Sequence, residues 1–323
     1  MAPRERSARR ARGRQVDGVL LLDKPVGVSS NQALQRVKRL FQARKAGHTG
    51  NLDVLASGLL PICFGEATKV CQFLLEADKH YISAFTFGRR TSTGDAEGEV
   101  LSEASTDALD AAAVSDAMRR FDGWIEQLPP MHSALKRNGQ PLYKLARQGL
   151  EVERATRRVR IDHFELEEFE VPTAVVDIRC SKGTYVRTLA EDLGAVLGCG
   201  AYVSALRRAG AGPFHLDQAH TVEELEALAA TGMDALDAVL LRADRALEHL
   251  PRATIDAAAV SNFERGQAIR LEHAAVPGAI RLYDGARRFL GVGEVLDDGR
   301  VVPRRLFHSQ ASESQRESLP AGT

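Results

Sequence analysis

The feature that most constrains this chain is a hydrophobic period that keeps switching and never becomes regular. Apolar runs of strand length, GVLLLDK at 18–24 and LLPICFG at 59–65, stand beside helical spacing, as in Leu34, Val37, Leu40 and Phe41. The turn PVGVSS separates the first strand from that helix, with Ser30 as the expected N-cap. Further strands are expected in YISAFTFG (81–88), RRVRIDHFELEEF (157–169), AVVDIRCS (174–181) and SALRRAG (204–210). Helices are expected in ALDAAAVSDAMRRF (108–121), LYKLARQG (142–149) and TYVRTLAEDLGAVLG (184–198), while RRTSTGDAEGEV (89–100) reads as an exposed loop. Strands and helices mix without strict β-α-β alternation, which favours α+β over a doubly wound sheet.

From Leu250 the texture changes. The short apolar runs AIRLYD, RRFLGVGEVL and RVVPRRLF alternate with the turn signals PG, DG and DDG. This predicts a small β-rich domain over 250–308, preceded by a main domain over 16–249. The acidic helical stretch TVEELEALAATGMDALDAVLLRADRALEHL (221–250) reads as the connector between them. Residues 1–15 read as a disordered basic tail, since the first fourteen carry six arginines and no apolar segment, and 309–323 as a polar tail.

Charge totals cancel, with 43 Lys and Arg against 43 Asp and Glu, so only their distribution informs. Acids collect in GDAEGEV, FELEEFE and Glu223 to Glu248, and bases elsewhere, which suits one face for an anionic partner. Cys63, Cys71, Cys180 and Cys199 form no C-x-x-C pair, which argues against a zinc site or disulfide framework and fits a reducing, cytoplasmic setting. The nine histidines form no H-x-E or H-E-x-x-H motif, which disfavours a zinc-dependent base deaminase. No apolar run approaches the about 18 residues that cross a bilayer, so no membrane partner is expected.

Against this background AGHTGNLDVLASGLLPI (46–62) is unusual. It holds one carboxylate, Asp53, after a run that bears Lys24, Arg36, Lys38, Arg39, Arg44 and Lys45 and no acid since Asp23. Small neighbours, Gly50, Ala56, Ser57 and Gly58, permit close approach of a bulky group, and the basic run would hold a phosphate backbone beside it. An Asx turn or an N-cap before LASGLL would leave the same pattern. A second stretch, CSKGTYVRTLAEDLG (180–194), places Tyr185 and Arg187 at a helix start. That suits stacking on a base and pairing with a carboxylate, although a core tyrosine and a surface arginine would look alike.

Six segments come in one order: GVLLLDKPVGVSSNQALQRVKR, AGHTGNLDVLASGLLPICFGEATK, DKHYISAFTFGRRTSTGDAEG, QLPPMHSALKRNGQPLYKLARQG, CSKGTYVRTLAEDLG and ALRRAGAGPF. Together they resemble the bacterial tRNA pseudouridine synthases that modify uridine 55 in the T arm, the TruB family. GVGEVLDDGRVVPRRLF resembles the end of that family's small C-terminal domain, which is related to PUA domains, and the likeness spans about residues 16–308. The resemblance implies a pseudouridine synthase fold: a mixed, mainly antiparallel central sheet flanked by helices, plus a PUA-like RNA-binding domain. It implies that Asp53 is the catalytic aspartate, Arg187 its partner and Tyr81 the active-site tyrosine that stacks on the target base. It implies that His48 supports flipped nucleotides, that Tyr185 is the second tyrosine and Leu206 an apolar wall of the uracil pocket. Lys24 and Lys136 match motif lysines near the strand and pocket walls.

Some positions depart from the family pattern: Val54 stands where Pro is usual, Asn51 where a small residue or Thr is common, Tyr202 for a frequent His and His132 for a frequent Tyr. None removes a reactive group, and Val54 relaxes a loop that Pro would stiffen. The implied isomerisation is redox-neutral and needs no metal or nucleotide cofactor. Arg187 would keep Asp53 ionised. The basic helix 30–45, with Arg137, Lys144, Arg147, Arg157, Arg158, Arg207 and Arg208, is the expected RNA footprint. A stand-alone monomer acting on tRNA is expected. The alternatives are a guide-RNA-dependent synthase and a tRNA-folding protein without catalysis.

Overall fold

A computed structural model describes residues 13–137, 139–271 and 276–307. The tails expected at the two ends lie outside these residues, except that the basic segment is anchored at its inner end. There Arg14 pairs with Asp237 and donates from Nε to the Phe41 carbonyl at 2.8 Å, so position 14 belongs to the folded body.

In chain order the first half carries β1 (Gly18–Lys24), α1 (Ser30–Leu40), β2 (Ala46–His48), β3 (Ala56–Phe64), α2 (Cys71–Glu76) and β4 (Lys79–Phe87). Then come β5 (Arg89–Thr91), β6 (Val100–Glu103), α3 (Ala111–Met118), β7 (Gly123–Gln127), β8 (Lys136–Arg137), β9 (Gln140–Pro141) and α4 (Leu142–Ala146). The middle holds β10 (Arg157–Glu170), β11 (Thr173–Cys180), α5 (Val186–Val196), β12 (Ala201–Ala211), β13 (Phe214–His215), α6 (Val222–Thr231) and α7 (Met233–Asp237). The last part holds β14 (Arg252–Thr254), α8 (Ala257–Glu264), β15 (Ile269–Arg270), β16 (Gly278–Tyr283), β17 (Phe289–Val295) and β18 (Arg300–Leu306).

The main sheet runs β1-β3-β12-β4-β11-β10-β7, with β2 on β3 and β13 on β12. Only β3 and β12 pair in parallel within it, so the sheet is mixed and mainly antiparallel. The second sheet runs β14-β16-β17-β18-β15. The chain is therefore α+β with a C-terminal β-rich unit. The expected exposed loop at 89–100 is instead a hairpin, β5 on β6, whose tip turns inward.

The continuous apolar run of β1 follows from cover on both sides. Leu20 and Leu22 face a core under α1, α3 and α5, while Val19 and Leu21 face a second cluster on the opposite side. β3 alternates in the same way, with Leu60, Ile62 and Phe64 on one side and Leu59 and Cys63 on the other. The second cluster also contains Val292 and Phe307, so the C-terminal sheet seals the back of the β1/β3 end. Lys69 donates to the Leu306 carbonyl at 2.7 Å across that seam.

Two local readings change. Ser29 caps α1, accepting from the Gln32 amide and completing a capping box, while the Ser30 hydroxyl turns inward. The acidic stretch after Thr221 is no mere connector. Leu225 and Leu236 are fully buried in the main core, and Glu226 pairs with Arg36 of α1 at 2.8 Å. Its leucine face packs and its glutamates face out, which is why a charge-rich segment serves as a wall of the core.

Phe41 and Phe64 meet with ring centroids 4.8 Å apart and no exposure, joining α1 to β3 on either side of the segment that carries Asp53. Truncating Phe41→Ala should lower the unfolding free energy by about 3–5 kcal/mol, read as a lower urea midpoint at unchanged slope.

Candidate active site

Asp53 lies in the short loop between β2 and β3, and backbone and hydroxyl hydrogen bonds hold that loop. Ser30 Oγ accepts from the Leu52 amide at 2.7 Å and lies 3.1 Å from the Leu52 carbonyl. The Thr49 amide donates to the Pro61 carbonyl at 3.1 Å, the Gly27 amide to the Val54 carbonyl at 2.8 Å and the Ala56 amide to the Asp53 carbonyl at 3.1 Å. Gly50 supplies the positive φ of +123° that the turn demands. The Val54 position is thus tied through its carbonyl, which limits what the absent proline would add.

Asp53 Oδ2 stands 3.1 Å from Nη2 of Arg187, at the start of α5. Arg187 is 5% exposed and its fork is saturated. Nη1 reaches Asp95 Oδ2 at 3.2 Å and the Thr93 carbonyl at 3.1 Å, while Nη2 also donates to the His132 carbonyl at 2.7 Å. One planar guanidinium thus joins two carboxylates and two loops, a task the single-point charge of a lysine cannot match. Asp95 is buried, and its Oδ1 accepts from the Glu97 amide and the Thr93 hydroxyl. Sequence reasoning missed Asp95, because an acid in a glycine-rich stretch reads as solvated; only the inward turn of the β5–β6 hairpin reveals it.

Arg187 pulls the Asp53 pKa down, in the direction expected, but it does not set the net shift. Burial pushes that pKa up and outweighs Arg187, whose charge is shared with Asp95; Asp95 pushes it up further and Lys24 pulls it down. The carboxyl is still open to solvent, with 41% of the side chain exposed.

A single row across the main sheet floors this loop. Lys24 pairs with Gly58, Gly58 with Arg208, Arg208 with Tyr81 and Tyr81 with Ile178. A Cβ on Gly58 would stand 2.4 Å from the Arg208 carbonyl oxygen, so glycine lets the two strands close between the cations. Tyr81 is half-buried, and burial raises its phenol pKa. Leu206, two residues before Arg208, is buried beside Ala56 and Ser83 in register. His48 ends β2 half-buried; burial lowers its pKa, and its Nδ1 makes no hydrogen bond among the described residues.

Two positions depart from the expected RNA-facing set by burial, and a third, Arg207, stays exposed but is ion-paired. Lys24 is fully buried, with Nζ on the Pro25 carbonyl at 2.8 Å and the Val28 carbonyl at 2.7 Å and its pKa lowered to about 8, chiefly by burial. It ties a turn and adds positive charge near Asp53. Arg208, 1% exposed, leaves the footprint for the same reason. Arg207 pairs with Asp23 at 2.6 Å. Tyr185 is the N-cap residue of α5, with its amide on Gln127 Oε1 at 3.0 Å and Arg157 5.9 Å from its ring centre. Lys136 lies apart, exposed on the β8–β9 hairpin in the segment that carries Arg137, Lys144 and Arg147. With Arg39, Arg44 and Lys45, these exposed bases make no ion pair among the described residues. A cleft of about 790 Å³ lined by Arg119, Arg160 and His163 contains none of the candidate residues.

Residues 38–186 match the family model for the N-terminal domain of TruB family pseudouridylate synthases. Residues 187–248 match the tRNA pseudouridylate synthase B C-terminal domain, and 251–307 the C-terminal domain of pseudouridine synthase II TruB. A protein of Pseudomonas aeruginosa (strain UCBPP-PA14) named tRNA pseudouridine synthase B is 54% identical over 92% of this chain and 97% of its own. One of Nitrosococcus oceani with the same name is 51% identical over 94% and 98%. A chain in the crystal structure of a Cbf5-Nop10-Gar1 complex superposes with a TM-score of 0.72 at 25% identity, over 91% of this chain and 86% of that one. A chain of an H/ACA RNP bound to a substrate RNA containing 2'-deoxyuridine shares the fold, with a TM-score of 0.70 at 23% identity over the same shares.

Because Asp53 binds its proton more tightly when folded, its ionisation opposes folding above the ordinary carboxyl range. The chain should lose stability from this group as pH rises from the unfolded pKa, near 3.8, through the raised folded one. Asp53→Asn should therefore be more stable than wild type at pH 7, with the gap closing as pH falls below that window. Urea midpoints against pH check it, and a gap that widens towards acid would reverse the assignment.

Proposed function

The chain belongs to the TruB family of pseudouridylate synthases, and from that premise we propose that it isomerises uridine 55 in the T arm of tRNA to pseudouridine, acting alone on a flipped-out base with Asp53 as catalytic group. It is a tRNA pseudouridine synthase, an isomerase. The observation that carries the finer reading is the Arg187 bridge, which buries Asp95 on one side and leaves the Asp53 carboxylate open to solvent on the other.

The reaction breaks the N1–C1′ bond, turns the uracil over and joins C5 to C1′; C5 gives up its proton and N1 ends protonated. Attack of Asp53 at C1′, attack at C6 and removal of a sugar proton all begin from the ionised carboxylate. Arg187 and Lys24 favour that form, and Arg187 offsets repulsion between Asp53 and RNA phosphates. The uridine must leave the stack. His48, uncharged near neutrality, fills the vacated space, and Tyr81 stacks on the extruded base, worth about 1–3 kcal/mol. Leu206 walls the uracil pocket, and Tyr185 flanks the mouth at the start of α5.

Arg39, Arg44, Lys45, Lys136, Arg137, Lys144, Arg147 and Arg158 form the RNA-facing surface, and the unit over 250–308 engages another part of the tRNA. Phosphate contacts of this kind set affinity, while loop shape and splayed bases set the choice of RNA. The chain works as a monomer in the cytoplasm without an obligatory protein partner. Among the described residues no helix is long and apolar enough to cross a membrane. Likeness to proteins solved in multiprotein complexes raises a guide-dependent reading, but identity of about half over nearly the whole length of the bacterial relatives favours stand-alone action.

Tritium release from tRNA labelled at uridine C5 tests this, with no guide RNA or metal added. Wild type should release the label, and Asp53→Asn should slow release by about 10³-fold or more while still binding tRNA. Binding without release by wild type would point to a missing guide or a purely RNA-binding role. Because burial raises the Asp53 pKa, activity should fall on the acid side with a midpoint above the ordinary carboxyl range. tRNA affinity should decline log-linearly with salt.

A further inference from the structure

Arg208 presents an unusual charge. It is the largest fully buried side chain of the described residues, at 1% exposure, yet no carboxylate among those residues pairs with it. Its Nε donates to the Leu59 carbonyl at 2.7 Å, and Nη1 lies 3.5 Å from the Asn51 carbonyl in the Asp53 loop. Nη2 is buried and makes no hydrogen bond among the described residues. A buried cation of this kind is costly unless its surroundings use it.

The sheet register says what the surroundings are. Arg208 stands directly opposite Tyr81 on the antiparallel β4/β12 ladder, so the two side chains share the face beneath the loop. Nη1 also lies 3.7 Å from where a Cβ on Gly50 would sit, so the guanidinium fills the space under that loop. One group thus touches the loop that carries Asp53, the strand that follows it and the neighbourhood of the phenol.

We propose that Arg208 is a positioning residue for the isomerisation, a guanidinium locked under the sheet row that fixes the Asp53 loop and the Tyr81 phenol in one geometry. This rests on the proposed reaction above. The charge of Arg208 opposes the rise in phenol pKa that burial causes, while Asp53 from the loop and Cys180 from β11 add to that rise. Lys79 of β4 and Lys24 of β1, both with pKa lowered to about 8, carry the remaining nearby charge. With that cation in place the buried phenol gives up its proton more readily than the same buried phenol would without it, which favours a part in taking the C5 proton.

The test compares Arg208→Met, which keeps bulk and loses charge, with Arg208→Lys, which keeps charge and loses the fork. Urea unfolding and tRNA binding come first, then steady-state kinetics. Tyrosinate absorbance is titrated in each chain with and without Tyr81→Phe, so that the difference isolates Tyr81. In Arg208→Met kcat should fall about 10- to 100-fold with KM within about twofold, and the Tyr81 titration should move to higher pH. Arg208→Lys should restore the titration and part of kcat. Unchanged kcat, an unmoved Tyr81 titration, or failure of both variants to fold would each overturn the proposal, the last by making Arg208 a purely structural core cation. An inactive wild type would sink the proposed reaction instead and leave the Tyr81 titration readable by itself.

Discussion

The bridge from Asp53 through Arg187 to Asp95 is the constraint on which the rest of the site depends. It crosses three separate pieces of chain: the β2–β3 loop, the tip of the β5–β6 hairpin and the start of α5. A buried guanidinium is tolerable only when its donors are matched, and here two carboxylates and two carbonyls match them. Asp95, sealed and hydrogen-bonded on both oxygens, secures the arginine. Asp53, half-open, is the one carboxylate left to meet a substrate. The division of labour between two similar side chains follows from burial alone, and it leaves Asp53 with a proton affinity raised by its surroundings and moderated by its partner.

Beneath the bridge, the main sheet provides a flat floor rather than a cavity. The row Lys24, Gly58, Arg208 and Tyr81 puts two buried cations and a phenol under a loop that holds an anion. Neither cation forms an ion pair with a carboxylate among the described residues, so the floor biases the loop electrostatically without neutralising it. The helices α1, α3 and α5 cover the same face elsewhere, which leaves the loop as the gap in the cover. The reverse face at β1 and β3 is closed by the C-terminal sheet. That closure explains why both strands are apolar on two sides.

Much of this was legible in the residues. The strand runs, the α1 and α5 stripes and the change of texture after Leu250 all appear as elements, because period and turn chemistry are local properties. The pairing of Asp53 with Arg187 was expected from the resemblance and is present in the geometry. What misled was charge. Lys24 and Arg208 read as phosphate contacts, Asp95 as a solvated acid and the stretch after Thr221 as a connector, since a charged letter carries no sign of its burial. Ser30 was read as a cap, whereas its neighbour Ser29 caps and Ser30 locks the loop through Leu52.

The class of fold, the order of elements, the family and the short segments where chemistry resides can all be read along the chain. These depend on hydrophobic spacing, turn residues and motif order, all readable along one dimension. Only the tertiary structure decided which charges face water and which face each other. That choice is made by strand register and by the inward turn of distant loops, which bring residues 53, 95 and 187 to one guanidinium and place 24, 58, 81 and 208 in one row. Desolvation acts only on the assembled fold, so proton affinities and the roles they imply could not be assigned before it.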